Sequence, residues 1–398
     1  MNTKGDDQVS QQLVANARRK NWSQVSDIAK NHPSLVHQLE PFVLNDLKIG
    51  RVPPIELMEI ILKTQPEFAS QQIDFHGTIL HKLFMASSLT MINGQIDVHA
   101  KENVARVILD AHPQCISIVN SQKWLPLHSL LTRGMDMEPA IHPEFLEFMI
   151  QSFPQSIIMQ NSGGVTPLDM LISNSMYDLE GAFRLDSSIL KMEYYNPTME
   201  LTLRKHRDYV RVWKCLVLML RYIQKHEMDG DLEKEAEISP LHLFASSKYC
   251  DAKLLKIAVS IYDRDLRLQD ENGDLPLHLA CRKGRTSHDS NDDGNDKIQT
   301  LVDAYPDGCR IENANHDLPL FVALNHFECK WKGNLEALVT AHPDSLFQKD
   351  CKEELYPFLL LAAKSKELSE CMQTLVLESM FEMIRRCPSL IVKEDNWI

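Results

Sequence analysis

The sequence predicts an all-α fold, a solenoid of stacked helix-turn-helix repeats, and three observations carry that prediction. Pro113, Pro154, Asp263 and Pro306 are each followed thirteen positions later by a proline, at Pro126, Pro167, Pro276 and Pro319, and Pro343 reaches Pro357 in fourteen. An Asx residue stands at position seven of the interval, in Asn120, Asn161, Asp270, Asn313, Asp350 and Asp395. The second proline precedes Leu127, Leu168, Leu277 or Leu320, and His128 and His278 follow two of these leucines. Pro240-Leu241-His242 repeats the ending, and His81 marks an earlier copy without the proline. One unit therefore recurs, at irregular periods of roughly 36–47 residues with one longer gap.

Each unit opens on a helix. Apolar residues recur at i, i+3, i+4 and i+7 in Val104, Val107, Ile108, Ala111; Leu146, Met149, Ile150, Phe153; Ile298, Leu301, Val302, Tyr305; and Leu335, Leu338, Val339, His342. That spacing places one apolar stripe on a helix. Pro113, Pro154, Pro306 and Pro343 end it, because the residue before a proline is pushed out of the helical region. The Asx residue, with Gly164 or Gly273, supplies the turn: Asx side chains bond nearby backbone, and glycine takes positive φ without strain. The second proline opens the next helix, where no backbone donor is needed and φ is preset.

The unit resembles the ankyrin repeat. The family phrase Asp-x-x-Gly-x-Thr-Pro-Leu-His-x-Ala is matched by Asp270, Gly273, Pro276, Leu277, His278 and Ala280. Asn161, Gly164, Thr166, Pro167 and Leu168 match a second copy, with Asp169 in place of histidine, and Ser239, Pro240, Leu241 and His242 a third. The resemblance covers residues 55–398, with a fainter copy at Val25 to Leu35. The capping threonine is replaced by Leu125, Leu275 and Leu318, so its cap is expected to be missing or supplied by a neighbour such as Asp274 or Asp317. The units also exceed the family's 33 residues. The array is thus divergent and irregular.

The expected organisation is a polar N-terminal tail at 1–20 and one elongated repeat body at 21–398. Within the body the copies are degenerate at 21–100, an insert occupies 176–209, an acidic loop 286–296, and the last repeat, 377–398, is incomplete with an unmatched apolar edge. A composition of 44% hydrophobic and 24% charged residues suits a folded chain. No segment has the apolar core of a signal peptide or approaches a membrane span, so a cytoplasmic or nuclear location is expected.

Nine cysteines without a C-x-x-C read as reduced buried thiols. No Cys/His spacing suggests zinc. The histidines recur as column members, His81, His128, His242 and His278 in the phrase and His32, His112 and His342 before the proline, so they are expected to pack and hydrogen-bond. No nucleophile elbow, P-loop, dinucleotide fingerprint, zincin or kinase signature occurs. No enzyme, cofactor, metal or small-molecule substrate is expected. A net charge of −13 opposes a nucleic-acid footprint, despite Arg18, Arg19, Lys20 and Arg204, Lys205, Arg207. It favours a protein partner with a basic or mixed surface.

In the 176–209 insert, Tyr194 and Tyr195 are candidate contacts, the alternative being that its aromatics fold back on neighbouring repeats. Asp289, Asn291, Asp293 and Gly294 match the start of a calcium loop, but Asp296 and Thr300 break the match, leaving a flexible acidic loop. Ankyrin arrays contact proteins through turn tips and a concave face. The resemblance accordingly points to Lys123, Trp124, Val165, Glu271, Asp274, Asn315, Asp317, Glu353 and Glu354. Trp124 comes first as an aromatic anchor, with packing on the adjoining turn as its alternative. The function these features imply is a non-catalytic protein-binding scaffold. The alternatives are a regulatory adaptor subunit and, in a different class, an enzyme with an unrecognised site.

Overall fold

The computed structural model describes residues 3–49, 51–75, 77–86, 91–92, 95–96, 99–132, 142–174, 200–227, 238–282, 297–326, 331–364 and 370–392. Among these, helix dominates, with two short β-ribbons that the all-α expectation did not include. The chain divides into two compact units, Met1–Asp178 with Pro197–Met219, and Leu179–Asn196 with Leu220–Ile398.

In the first unit α1 (Thr3–Arg18) packs on α2 (Trp22–Asn31) and buries Leu13 and Ala17. The segment expected as a polar tail is therefore mostly helix, its sparse stripe of Val9, Leu13 and Ala17 spaced by single turns. There follow α3 (Glu40–Lys48), α4 (Ile55–Thr64), the ribbon β1 (Gln72–Asp74) and β2 (Gly77–Thr78), and α5 (Ile79–Met85). A second ribbon, β3 (Met91–Ile92) and β4 (Gln95–Ile96), precedes α6 (Ala100–Ala111), α7 (Pro126–Leu131), α8 (Pro143–Ser152) and α9, residues 167–174. Both ribbons are antiparallel, pairing Gln72 with Thr78 and Met91 with Ile96. The next helix, α10 (Glu200–Glu227), starts inside the expected 176–209 insert and crosses the boundary between the units. Tyr194 and Tyr195 lie outside the described residues.

The second unit holds α11 (Pro240–Ser246), α12 (Ala252–Ile261), α13 (Pro276–Arg282), α14 (Lys297–Ala304) and α15 (Pro319–Asn325). It continues with α16 (Glu336–Ala341), α17 (Pro357–Lys364), α18 (Glu370–Arg386) and α19 (Ser389–Val392). Helices opened by a repeat's second proline pack on each other in sequence, α11 on α13, α13 on α15, α15 on α17; those ending before its first proline do the same, α12 on α14 and α14 on α16. The first unit shows the same two layers in α5 on α7 and α4 on α6. The acidic loop at 286–296 lies outside the described residues, as does Trp397 in the expected incomplete repeat.

The stripes follow the expected periodicity with a small rotation. Helix α6 buries Val104, Ala105, Ile108 and Leu109, leaving Val107 and Ala111 half-buried, and α8 buries Phe145, Leu146, Met149 and Ile150. Each stripe is a pair of adjacent residues repeated one turn on.

Between helix and tip the structure inserts an element that the sequence pattern did not show. A 3-10 turn begins at six of the helix-ending prolines, at Pro33–Leu39, Pro66–Ser70, Pro113–Ser117, Pro154–Ile157, Pro306–Arg310 and Pro343–Phe347. The residue before it is forced out of the helix: His112, Phe153 and Tyr305 have φ near −148, −152 and −147° with ψ 78–79°. Where Asp263 replaces the proline, Tyr262 stays closer to helical values, φ −112° and ψ 43°. The turn buries its middle residues, among them Cys115 and Ile116, Ser156 and Ile157, Gly308 and Cys309, and Ser345 and Leu346. Cys115 accordingly sits in a 3-10 turn.

Candidate binding surface at the turn tips

Five described tips are built around an Asx side chain. Asn120 Oδ1 accepts the N–H of Gln122 and of Trp124, both at 2.9 Å. Asn161 Oδ1 accepts from Gly163 and Val165 at 2.9 and 3.0 Å, Asp270 Oδ1 from Asn272 and Asp274 at 2.8 Å, and Asn313 Oδ1 from Asn315 and Asp317 at 3.0 Å. Two otherwise orphaned donors per tip are thereby satisfied. The third residue after the Asx must turn through positive φ, at Lys123 (57°), Gly164 (77°), Gly273 (70°) and His316 (60°). In the longer tip Asp350 Oδ2 holds the N–H groups of Lys352 and Glu353, and the positive φ moves to Glu354, at 53°. Adjacent tips are joined by backbone: Ser162 N–H donates to Gln122 O, and Ala314 N–H to Asn272 O, both at 3.0 Å.

The phrase histidine closes the helix start and reaches the next copy. Nδ1 accepts the N–H three residues back, Leu125 for His128 at 3.1 Å and Leu275 for His278 at 3.0 Å, while the equivalent His81 accepts from Thr78 at 3.3 Å. Nδ1 is therefore the unprotonated nitrogen, and Nε2–H donates onward. His81 reaches Trp124 O at 2.9 Å, His128 Val165 O at 3.2 Å, His242 Asp274 O at 3.1 Å and His278 Asp317 O at 3.3 Å. Burial lowers the pKa of His81, His128 and His278, which keeps this tautomer neutral. The leucines standing where the family has threonine turn inward, Leu125 and Leu275 fully buried and Leu318 2% exposed. The cap expected from Asp274 or Asp317 is thus provided at Leu125 and Leu275 by histidine instead.

The candidate contacts divide into exposed and buried sets. Lys123, Glu271, Asn315, Glu353 and Glu354 lie on the tips, with Lys123, Glu271, Asn315 and Glu353 exposed and Glu354 beside them, likewise exposed. Trp124 and Val165 are half-buried, each giving its carbonyl to a histidine of the preceding copy, and the Trp124 ring lies 6.3 Å from that of His128. Trp124 therefore packs on its neighbour as well as edging the surface. Asp274 and Asp317 are corrections, fully buried and 5% exposed respectively. Asp274 Oδ1 accepts from Asn313 Nδ2 at 2.9 Å and its Oδ2 from Arg282; Asp317 Oδ2 accepts from Lys352 Nζ at 3.3 Å. Both become buried because the following copy covers them, 39 and 35 residues on.

Sequence reasoning missed a second exposed feature. Between the 3-10 turn and the Asx residue lie Val119, Ile158 and Met159 in the first unit and Leu268 in the second, with Phe347 at the end of its 3-10 turn, all exposed. The available signal was an apolar residue one to three places before the Asx column. Leu377 and Phe381, one turn apart on α18, are also exposed, at 67% and 64%.

Among the described residues seven cysteines stand as thiols, and all but Cys351 are buried. Burial pushes the Cys115, Cys250 and Cys309 thiols up to about 12. No described helix is long and apolar enough to cross a membrane. No protein-family model matches the chain, and no curated protein matches it.

Proposed function

We propose that this chain is a divergent ankyrin-like repeat protein that acts without catalysis, binding another protein through its turn tips. The two helix layers, the Asx-closed tips and the histidine links support the family reading. The observation that carries the function is the contrast within each tip. One hydrogen-bonded backbone frame recurs, while the exposed positions upon it differ from copy to copy: Lys123, Glu271, Asn315, Glu353. A fixed frame with varied outward side chains is what repeat proteins use to present a recognition surface. The acids Glu271, Glu353 and Glu354, with the net charge of −13, suit a partner that presents basic side chains. A cytosolic or nuclear site of action agrees with the reduced, buried thiols.

The test is affinity capture from the source cell with the intact chain beside a variant carrying Lys123→Glu, Glu271→Lys and Glu353→Lys. All three side chains are exposed, so the variant is expected to melt with the intact chain. A protein retained by the intact chain and released by the variant supports tip binding. Equal retention by both would move the interface off the tips and sink this reading.

A further inference from the structure

We propose a binding site for a zinc-class divalent cation at His99, Glu102 and His142, in the first unit and apart from the tips. His99 and Glu102 lie three residues apart at the start of α6, and His142 caps the start of α8. Glu102 Oε1 accepts from His142 Nδ1 at 2.8 Å and from the His142 N–H at 3.3 Å; Glu102 Oε2 lies 3.4 Å from His99 Nδ1. The two imidazoles stack with centroids 4.3 Å apart, and one donor atom from each residue falls within 4.8 Å of the others.

Two imidazoles and a carboxylate form a donor set suited to zinc and its neighbours in the first transition row. Bonds of about 2.0–2.2 Å at tetrahedral angles place neighbouring donors roughly 3.3–3.5 Å apart. The His99 contact already has that separation, and the His142 contact must open by about 0.5 Å. The two rings lie 16° from parallel, so their in-plane lone pairs do not converge until the His99 ring, whose side chain is 55% exposed, swings to aim Nδ1 at the ion, while the Glu102 and His142 side chains are 15% and 14% exposed and hold the frame. Three protein donors leave a fourth position for water. A bound ion would fasten the start of α6 to the start of α8, 40 residues apart in the chain. That separation hid the site from a search for local ligand spacing.

The test is Zn2+ titration of the reduced full chain by calorimetry, with Co2+ as a spectroscopic probe. The expected result is one site whose visible Co2+ bands show nitrogen and oxygen donors without thiolate charge transfer. Glu102→Gln and His142→Gln should weaken it beyond the ~10–100-fold that removing an outer partner brings. His99→Ala removes the most exposed of the three donors, so it should weaken binding with less change in metal-free melting than the other two variants. Absence of micromolar binding, a thiolate spectrum, or affinity in all three variants equal to that of the intact chain would each overturn the proposal.

Discussion

Two tips of the array, Asn161 to Asp169 and Asp270 to His278, share the Asx frame and differ in how the next helix is closed. At the first, Thr166 and Asp169 close the helix start on themselves: Asp169 Oδ2 accepts the Thr166 N–H at 2.9 Å and its hydroxyl at 2.8 Å, and Thr166 Oγ1 accepts the Asp169 N–H at 3.2 Å. At the second, His278 closes the start with Nδ1 and spends Nε2 on the next copy. The glycines differ in the same sense. A Cβ on Gly273 would meet Ala314 N at 2.6 Å, whereas one on Gly164 meets nothing within 4 Å. Among the described residues nothing lies against Gly164, whereas the next copy covers Gly273 and accepts from His278 Nε2.

The glycines separate the two tips most strongly. Gly273→Ala combines the left-handed backbone, about 1–2 kcal/mol for a residue with Cβ, with overpacking against backbone that typically costs about 1–3 kcal/mol. Gly164→Ala carries the first cost alone, and Lys123 and His316 already occupy the equivalent conformation. Denaturant melts should show Gly273→Ala destabilised by roughly 2–5 kcal/mol and Gly164→Ala by about 1 kcal/mol. Equal losses would mean that stacking does not distinguish the two tips.

Next in size is Asp274→Ala. It removes the acceptor of Asn313 Nδ2 and leaves a buried donor unsatisfied, which costs about 1–3 kcal/mol. The neighbouring Glu271→Ala, outward on the same tip, should stay within about 0.5 kcal/mol. Similar effects from the two would restore Asp274 to the surface role that the sequence suggested.

The Asx column, the prolines and the histidines were legible because each acts within a few residues of its own position: a proline fixes its neighbour's torsions, an Asx bonds two and four residues on. The 3-10 turns were not, because so short a segment with two buried members carries no period to read. Helix α1 was hidden for a related reason, since Val9, Leu13 and Ala17 are too sparse beside their polar neighbours to form an evident stripe. Asp274 and the His99, Glu102 and His142 cluster depend on groups about 40 residues away. A turn aspartate reads as exposed until the next copy is laid over it.

The histidine links also predict a pH response. Protonating Nδ1 of His81, His128 or His278 would set two donors face to face, and burial already lowers their folded pKa below 6.5. Between the folded and unfolded values the unfolded chain binds more protons, so stability rises with pH there. The contribution is complete above 6.5 and declines as pH falls below it toward the folded values. Melting temperature followed downward from neutral pH should drop in this window, and His278→Gln should flatten the slope. An unchanged slope would show that the link does not require the neutral tautomer.

The smallest effect belongs to the self-closed tip. Thr166→Ala removes a buried hydroxyl that caps α9 but leaves Asp169 Oδ2 to accept the residue-166 N–H, so a loss of about 1 kcal/mol is expected, within the usual range for helix caps. Thr166→Ser keeps the same hydrogen bonds and should recover most of it. If Ala and Ser were equally stable, Asp169 alone would close this helix start. Aspartate and histidine would then be equivalent as caps, and only the onward reach of His278 Nε2 would separate the two tips.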